Sequence, residues 1–106
     1  MALKALLIGR KLAEKRSALA ALLEKNAEFD RREATYAAAI EEVTEETGAE
    51  DRAALESEID AFEQERSAHN DAVAALQNEI RELENDLAAE EARQNTTPPA
   101  AAYFAT

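Results

Sequence analysis

Apolar residues recur three and four positions apart along two stretches of more than forty residues, separated by the segment Glu45-Glu46-Thr47-Gly48-Ala49-Glu50-Asp51. Such spacing paints one stripe down a helix, and a stripe sustained over five or six heptads demands a partner helix. In the first arm, heptad position a falls at Leu12, Leu19, Asn26, Glu33 and Ile40, and d at Ile8, Lys15, Leu22, Phe29, Tyr36 and Val43. In the second arm, a falls at Arg52, Ile59, Arg66, Val73, Ile80 and Leu87, and d at Leu55, Phe62, His69, Leu76, Leu83 and Glu90. With ~43 residues each as helix, the arms are expected to run for roughly 65 Å.

The segment between the arms reads as a tight turn. Gly48, one of only two glycines, suits the left-handed residue that follows many helices. Thr47 with Glu50 fits a capping box for a second helix, and Glu50 and Asp51 suit its positive end. The expected fold is therefore all-α: two long helices forming an antiparallel coiled-coil hairpin. Its parts are a helix over 2–46, a turn at 47–49 centred on Thr47 and Gly48, a helix over 50–94, and a Pro-containing tail over 95–106.

Folding the chain at Thr47 and Gly48 brings a positions level with d positions. Ile40 then meets Leu55, Tyr36 meets Ile59, Leu22 meets Val73, Leu19 meets Leu76, Leu12 meets Leu83, and Ile8 meets Leu87. With Phe29, Phe62 and Ile80 these form the expected hairpin core. Asn26 meets His69, a polar layer that fixes register as buried polar groups do in coiled coils. Glu33 is expected beside Phe62, Arg66 beside Phe29, and Lys15 beside Ile80, their stems lying along apolar surface.

Charge supports the same folding direction. Residues 1–25 hold six Lys/Arg and two Asp/Glu, whereas residues 70–94 hold two Lys/Arg and seven Asp/Glu. These stretches attract. Residues 26–47 and 48–69 each hold two Lys/Arg and seven Asp/Glu, so the part nearer the turn is strongly acidic. Exposed pairs contribute ~0.5 kcal/mol each, but they help to set helix direction.

The composition narrows function more than it specifies it. The net charge of -11 argues against nucleic-acid binding, which needs clustered Lys and Arg. Without cysteine, thiolate metal sites, disulfides and Cys nucleophiles are excluded. His69 is the only histidine, so no second imidazole is at hand for a metal, and no Ser is arranged as a nucleophile. The carboxylate runs Glu41-Glu42 with Glu45-Glu46, and Glu82, Glu84, Asp86 with Glu90-Glu91, read as solvated helix faces. No catalytic, cofactor or metal site is expected. The opening Met1–Arg10 is apolar but short, interrupted by Lys4, and far from long enough to span a membrane. Its Leu7 lies off the seam, which makes Leu3, Leu6 and Leu7 a candidate self-association surface. After Gln94, Pro98 and Pro99 stop the helix, and the tail reads as a linker toward a further domain.

The opening residues Met1-Ala-Leu-Lys-Ala-Leu-Leu-Ile8, followed by Arg10-Lys-Leu-Ala-Glu-Lys-Arg-Ser-Ala-Leu19, resemble the start of tailed-phage and prophage major capsid proteins. Glu28-Phe-Asp-Arg-Arg-Glu33 and Ala61-Phe-Glu63 are similar too. In that family an N-terminal helical stretch of about a hundred residues, the delta domain, precedes the shell-forming domain. The resemblance implies an internal scaffold that guides procapsid assembly through weak helix-helix contacts and is removed by a maturation protease, near 95–106 in this chain. It implies that the partners are the chain itself and neighbouring capsid subunits, inside the procapsid in the bacterial host cytoplasm. Gly9 departs from the pattern and is expected to weaken the first turns by roughly 1 kcal/mol relative to Ala. The rival reading is a stand-alone coiled-coil adaptor or spacer.

Overall fold

The computed structural model describes residues 3–95; the first two residues of the chain lie outside them, as does the expected tail over 95–106 except Asn95, which ends the last helix. The described chain is helical throughout except for short connections. Helix α1 spans Leu3–Glu24, α2 spans Asn26–Glu41 and α3 spans Ala49–Asn95. These residues form two compact units, 3–19 with 75–95 and 20–74.

In the first unit the core is Leu12, 2% exposed, packed with Ile8 and Ile80 and flanked by Leu19, Leu83 and Leu87. Early α1 residues lie beside late α3 residues, since Lys4, Leu7 and Ile8 share one depression with Asp86, Ala89 and Glu90. Lys15 pairs with Glu79 at 3.0 Å and Arg16 with Glu84 at 2.8 Å. Here, then, the basic opening segment and the acidic end of α3 run antiparallel. Both pairs are exposed and contribute little individually.

α1 runs unbroken through Gly9, and a Cβ built there meets nothing within 4 Å. Glycine in a helix interior costs about 0.5–1 kcal/mol relative to alanine through the freedom it has when unfolded. Gly9→Ala is therefore expected to stabilise the chain by that amount, read as a rise in the urea midpoint at constant slope.

In the second unit the chain turns back on itself, and two sequence expectations are corrected. First, the arm before the turn is not one helix over 2–46. At Lys25 the ladder tightens, with Lys25 N–H donating to the Leu22 carbonyl at 3.1 Å, a three-residue step. Inward side chains then advance 22, 26, 29, 32, 36, 39 and 43 rather than 22, 26, 29, 33, 36, 40 and 43. Two consecutive steps of three rotate the helix about its axis. Arg32 and Ala39 turn inward, while Glu33 is exposed and Ile40 is 52% exposed rather than in the core.

Second, the connection is longer than 47–49. α2 stops at Glu41 and α3 starts at Ala49. Val43 and Thr44 are β-branched, and Glu41 and Glu42 put negative charge at the negative end of a helix, so both features disfavour continuation. Thr hydroxyls then take over the backbone. Thr47 Oγ1 accepts from Thr44 N–H at 2.9 Å, and Thr44 Oγ1 accepts from Glu46 N–H at 3.2 Å. The Arg52 guanidinium donates to the Thr44 carbonyl. Thr47 thus folds back into the turn, and it is the Gly48 carbonyl that receives the first bond of α3, from Arg52 N–H at 3.0 Å. Gly48 is not left-handed, as no glycine has positive φ, so its conformation is open to other residues. Glu50 and Asp51 do occupy the first turn of α3.

Candidate functional site

The described residues hold no group of three or more His, Cys, Asp or Glu that could bind a metal. None of their helices is long and apolar enough to cross a membrane. Three places among the described residues bring together exposed or clustered side chains.

The first is an aromatic cluster in the unit formed by 20–74. Phe29 and Phe62 are buried, their ring centroids 6.0 Å apart, and Tyr36 lies 5.3 Å from Phe62. The tightened turn at Lys25 delivers Phe29 and Arg32 to the same side. Arg32 stands over Phe62 at 4.9 Å and over Phe29 at 5.6 Å, and it donates to Glu65 at 2.9 Å. Its bond to Glu65 holds the Glu65 carboxyl below the usual carboxylate range and raises the Arg32 guanidinium. For a lowered carboxyl the contribution is present above its unfolded pKa and fades as pH falls through the folded one. Because the pair is exposed, salt screens it. Arg66 stands over Phe29 at 5.8 Å and pairs with both Asp30, at 2.6 Å, and Glu33, at 3.5 Å. Glu33 is exposed, meets Arg66 and shares a depression with Phe62.

Asn26 and His69 are brought together here. Asn26 Oδ1 and His69 Nε2 are 2.8 Å apart, His69 is buried, and its ring lies 4.7 Å from Phe29. No buried side-chain polar atom among the described residues lacks a partner. Asn26→Ala takes away the hydrogen-bond partner of His69 Nε2, and is expected to cost about 1–3 kcal/mol. Replacing both residues with Leu is expected to leave stability near wild type or above it, while loosening register. Urea melts distinguish the first effect, and mixed species in sedimentation reveal the second.

The second place is the turn end of the same unit. Ile40, Val43, Leu55 and Ile59 line an open depression edged by Arg52 and Glu56. Of the expected core residues placed in this unit, Leu22, Tyr36, Leu55, Ile59 and Val73 are half-buried. The third is the start of α1, where Leu3, Leu6 and Leu7 are 66%, 64% and 55% exposed. In that unit Leu19, Leu76, Leu83 and Leu87 are half-buried and Ile8, Leu12 and Ile80 buried, while Glu90 is buried with its carboxylate 3.1 Å from Arg93.

Sequence spacing missed Arg32, which it placed off the seam, and the Ile40 depression, which it placed inside a closed core. The signal for the second was the acidic run around Val43-Thr44, which ends α2 early. No protein-family model, curated protein or solved structure matches this chain.

Proposed function

We propose that this chain is the internal scaffolding (delta) domain of a tailed-phage major capsid protein. Its arms close as an antiparallel coiled-coil hairpin that lies inside the procapsid and holds neighbouring subunits through weak helix-helix contacts. A maturation protease then removes it, cutting in the Pro-containing segment 95–106. The acidic residues 26–69 face the interior and repel DNA until the domain is gone.

The observation that carries this reading is the exposed Leu3-Leu6-Leu7 surface, on the segment that bears the resemblance to capsid proteins. A seam one layer deep, with apolar side chains left outside it, supplies contact area rather than a chemical site. The acidic balance of both sides of the turn adds to it.

The test is the native gene downstream of codon 106. A scaffold requires a large mixed α/β shell domain in the same reading frame, whereas an adaptor or spacer requires none. In a gene that encodes such a domain, deleting codons 3–95 is expected to abolish closed shells of uniform size, seen by negative-stain electron microscopy. Uniform closed shells from the deleted gene would falsify the scaffold reading.

A further inference from the structure

Helix α2 is jointed at both ends. At its start the Lys25 carbonyl accepts from Glu28 N–H and from Phe29 N–H, both at 3.1 Å, and no side chain caps the helix there. A three-residue and a four-residue step thus share one acceptor, so the backbone can change step at this point without giving up its bonds. At the other end the ladder gives way to three-residue bonds, from Glu42 N–H to the Ala39 carbonyl and from Val43 N–H to the Ile40 carbonyl, and the helix stops.

The arm so bounded fits α3 in two ways. Asn26, Phe29, Tyr36 and Val43 belong to the inward row in either case. Between them the row runs through Arg32 and Ala39, as found, or through Glu33 and Ile40, as heptad spacing has it. The first choice places Arg32 on Phe62 and Glu65, at 4.9 Å and 2.9 Å, and leaves Ile40 exposed above Leu55 and Ile59. Arg32 shares its depression with Glu65 and His69, whereas Glu33 shares one on the other flank of the seam with Phe62 and Arg66. A turn of α2 that carries Arg32 outward therefore carries Glu33 further under Arg66, now 3.5 Å away, and Ile40 onto Leu55 and Ile59.

We propose that α2 is a two-position element and that Arg32 is its catch. While Arg32 holds Phe62 and Glu65, the apolar depression at the turn end stands open. Once that hold is released, α2 turns about its axis, Ile40 fills the depression, and Arg32 and Ala39 go out to solvent. Interlocked side chains allow discrete positions rather than a continuous slide. Phe29 and Tyr36 stay against α3 in both, so the exchange is confined to the contacts of one arginine against the burial of one isoleucine. Both sides of that exchange are small, and removing either tips the balance. This inference goes beyond the scaffold reading and does not depend on it.

The chain has no cysteine, so an introduced thiol is its only one. The experiment uses two single-thiol chains, Ala39→Cys and Ile40→Cys, each with and without Arg32→Glu. Reaction with an aromatic disulfide reagent is timed, and helicity is followed by circular dichroism. Cysteine packs as a small apolar residue, so it reports either position without forbidding it. With Arg32 in place, the Ile40→Cys thiol, at an exposed position, is expected to react faster than the Ala39→Cys thiol, at a half-buried one. Arg32→Glu sets a carboxylate against Glu65 and the Phe62 ring. It is expected to slow the Ile40→Cys thiol and quicken the Ala39→Cys thiol, changing their ratio at least about tenfold. The ratio cancels what an altered charge at position 32 does to both thiols alike. Loosening of the helix exposes both positions together, so only a rotation moves them in opposite directions. Arg32→Gln, which removes the charge without opposing Glu65, replaces Arg32→Glu should that variant lose helicity. Rates that rise together, or a ratio left unchanged at wild-type helicity, overturn the proposal.

Discussion

Leu12→Ala is expected to lower the stability of the chain by about 3 kcal/mol, within the range for Leu truncations in packed cores. Leu12 is the most buried apolar side chain among the described residues and touches the cluster of Ile8 and Ile80, with Leu19, Leu83 and Leu87 around it. The seam is one layer deep, so no further layer of side chains can move in to fill the space. Ile8 and Ile80 hold the helices apart on either side, and the cavity persists or admits water. Domains of this length are stable by only roughly 5–15 kcal/mol, so such a loss is a large fraction of the total. Leu7→Ala, a few residues away but 55% exposed, is expected to stay within about 0.5 kcal/mol of wild type. Urea denaturation followed at the helical dichroism band measures both. Equal effects of the two substitutions would mean that the core around Leu12 is not the one described.

Phe62→Ala is expected to cost about 3–5 kcal/mol, the largest single effect in the unit of residues 20–74. Phe62 is buried, faces Phe29 and Tyr36, and carries the Arg32 guanidinium on its face. Truncation removes the apolar bulk and two ring pairs, and it leaves Arg32 with the more distant Phe29 ring, Tyr36 and Glu65. Phe62→Leu separates these contributions, since it restores most of the volume but not the ring. Ring pairs add about 0.5–1.5 kcal/mol beyond area, so the Leu variant is expected to recover all but roughly 1–2 kcal/mol of the loss. A Leu variant as unstable as the Ala variant would instead mean that ring geometry contributes more than volume does.

These two sites differ in how far they could be read from the residues alone. Ile8, Leu12 and Ile80 lie in an unbroken run of three-four spacing, and nothing near them offers the backbone an alternative to helix. Along α3 the inward side chains fall at 55, 59, 62, 66, 69, 73, 76, 80, 83, 87 and 90, the spacing of its heptads. Asn26 and His69 were likewise legible as a pair, because two polar residues at seam positions at equal distances from a turn leave few other partners. Arg32 was not. Its inward placement follows from the tightened step at Lys25, where neither glycine nor proline marks the sequence, and from an attraction to Phe62 that operates only once the second arm is alongside. The early end of α2 was half legible: Val43, Thr44 and four glutamates argue locally against helix, but Gly48 gave the stronger signal and drew the boundary toward itself.

The sequence by itself determined that the described residues are helical, where α3 runs, and which of its side chains from Leu55 onward turn inward, because helical spacing is a local property repeated over many turns. The hydroxyl-bonded turn at Thr44 and Thr47 is closed by bonds only two and three residues apart, outcompeting the capping box that Thr47 and Glu50 suggested. The tertiary structure alone decided the phase of α2 and the exposure of Ile40, which depend on competition between contacts far apart in the chain. An arginine gains a ring and a carboxylate by turning inward, and the rotation that brings it there carries an isoleucine out to solvent.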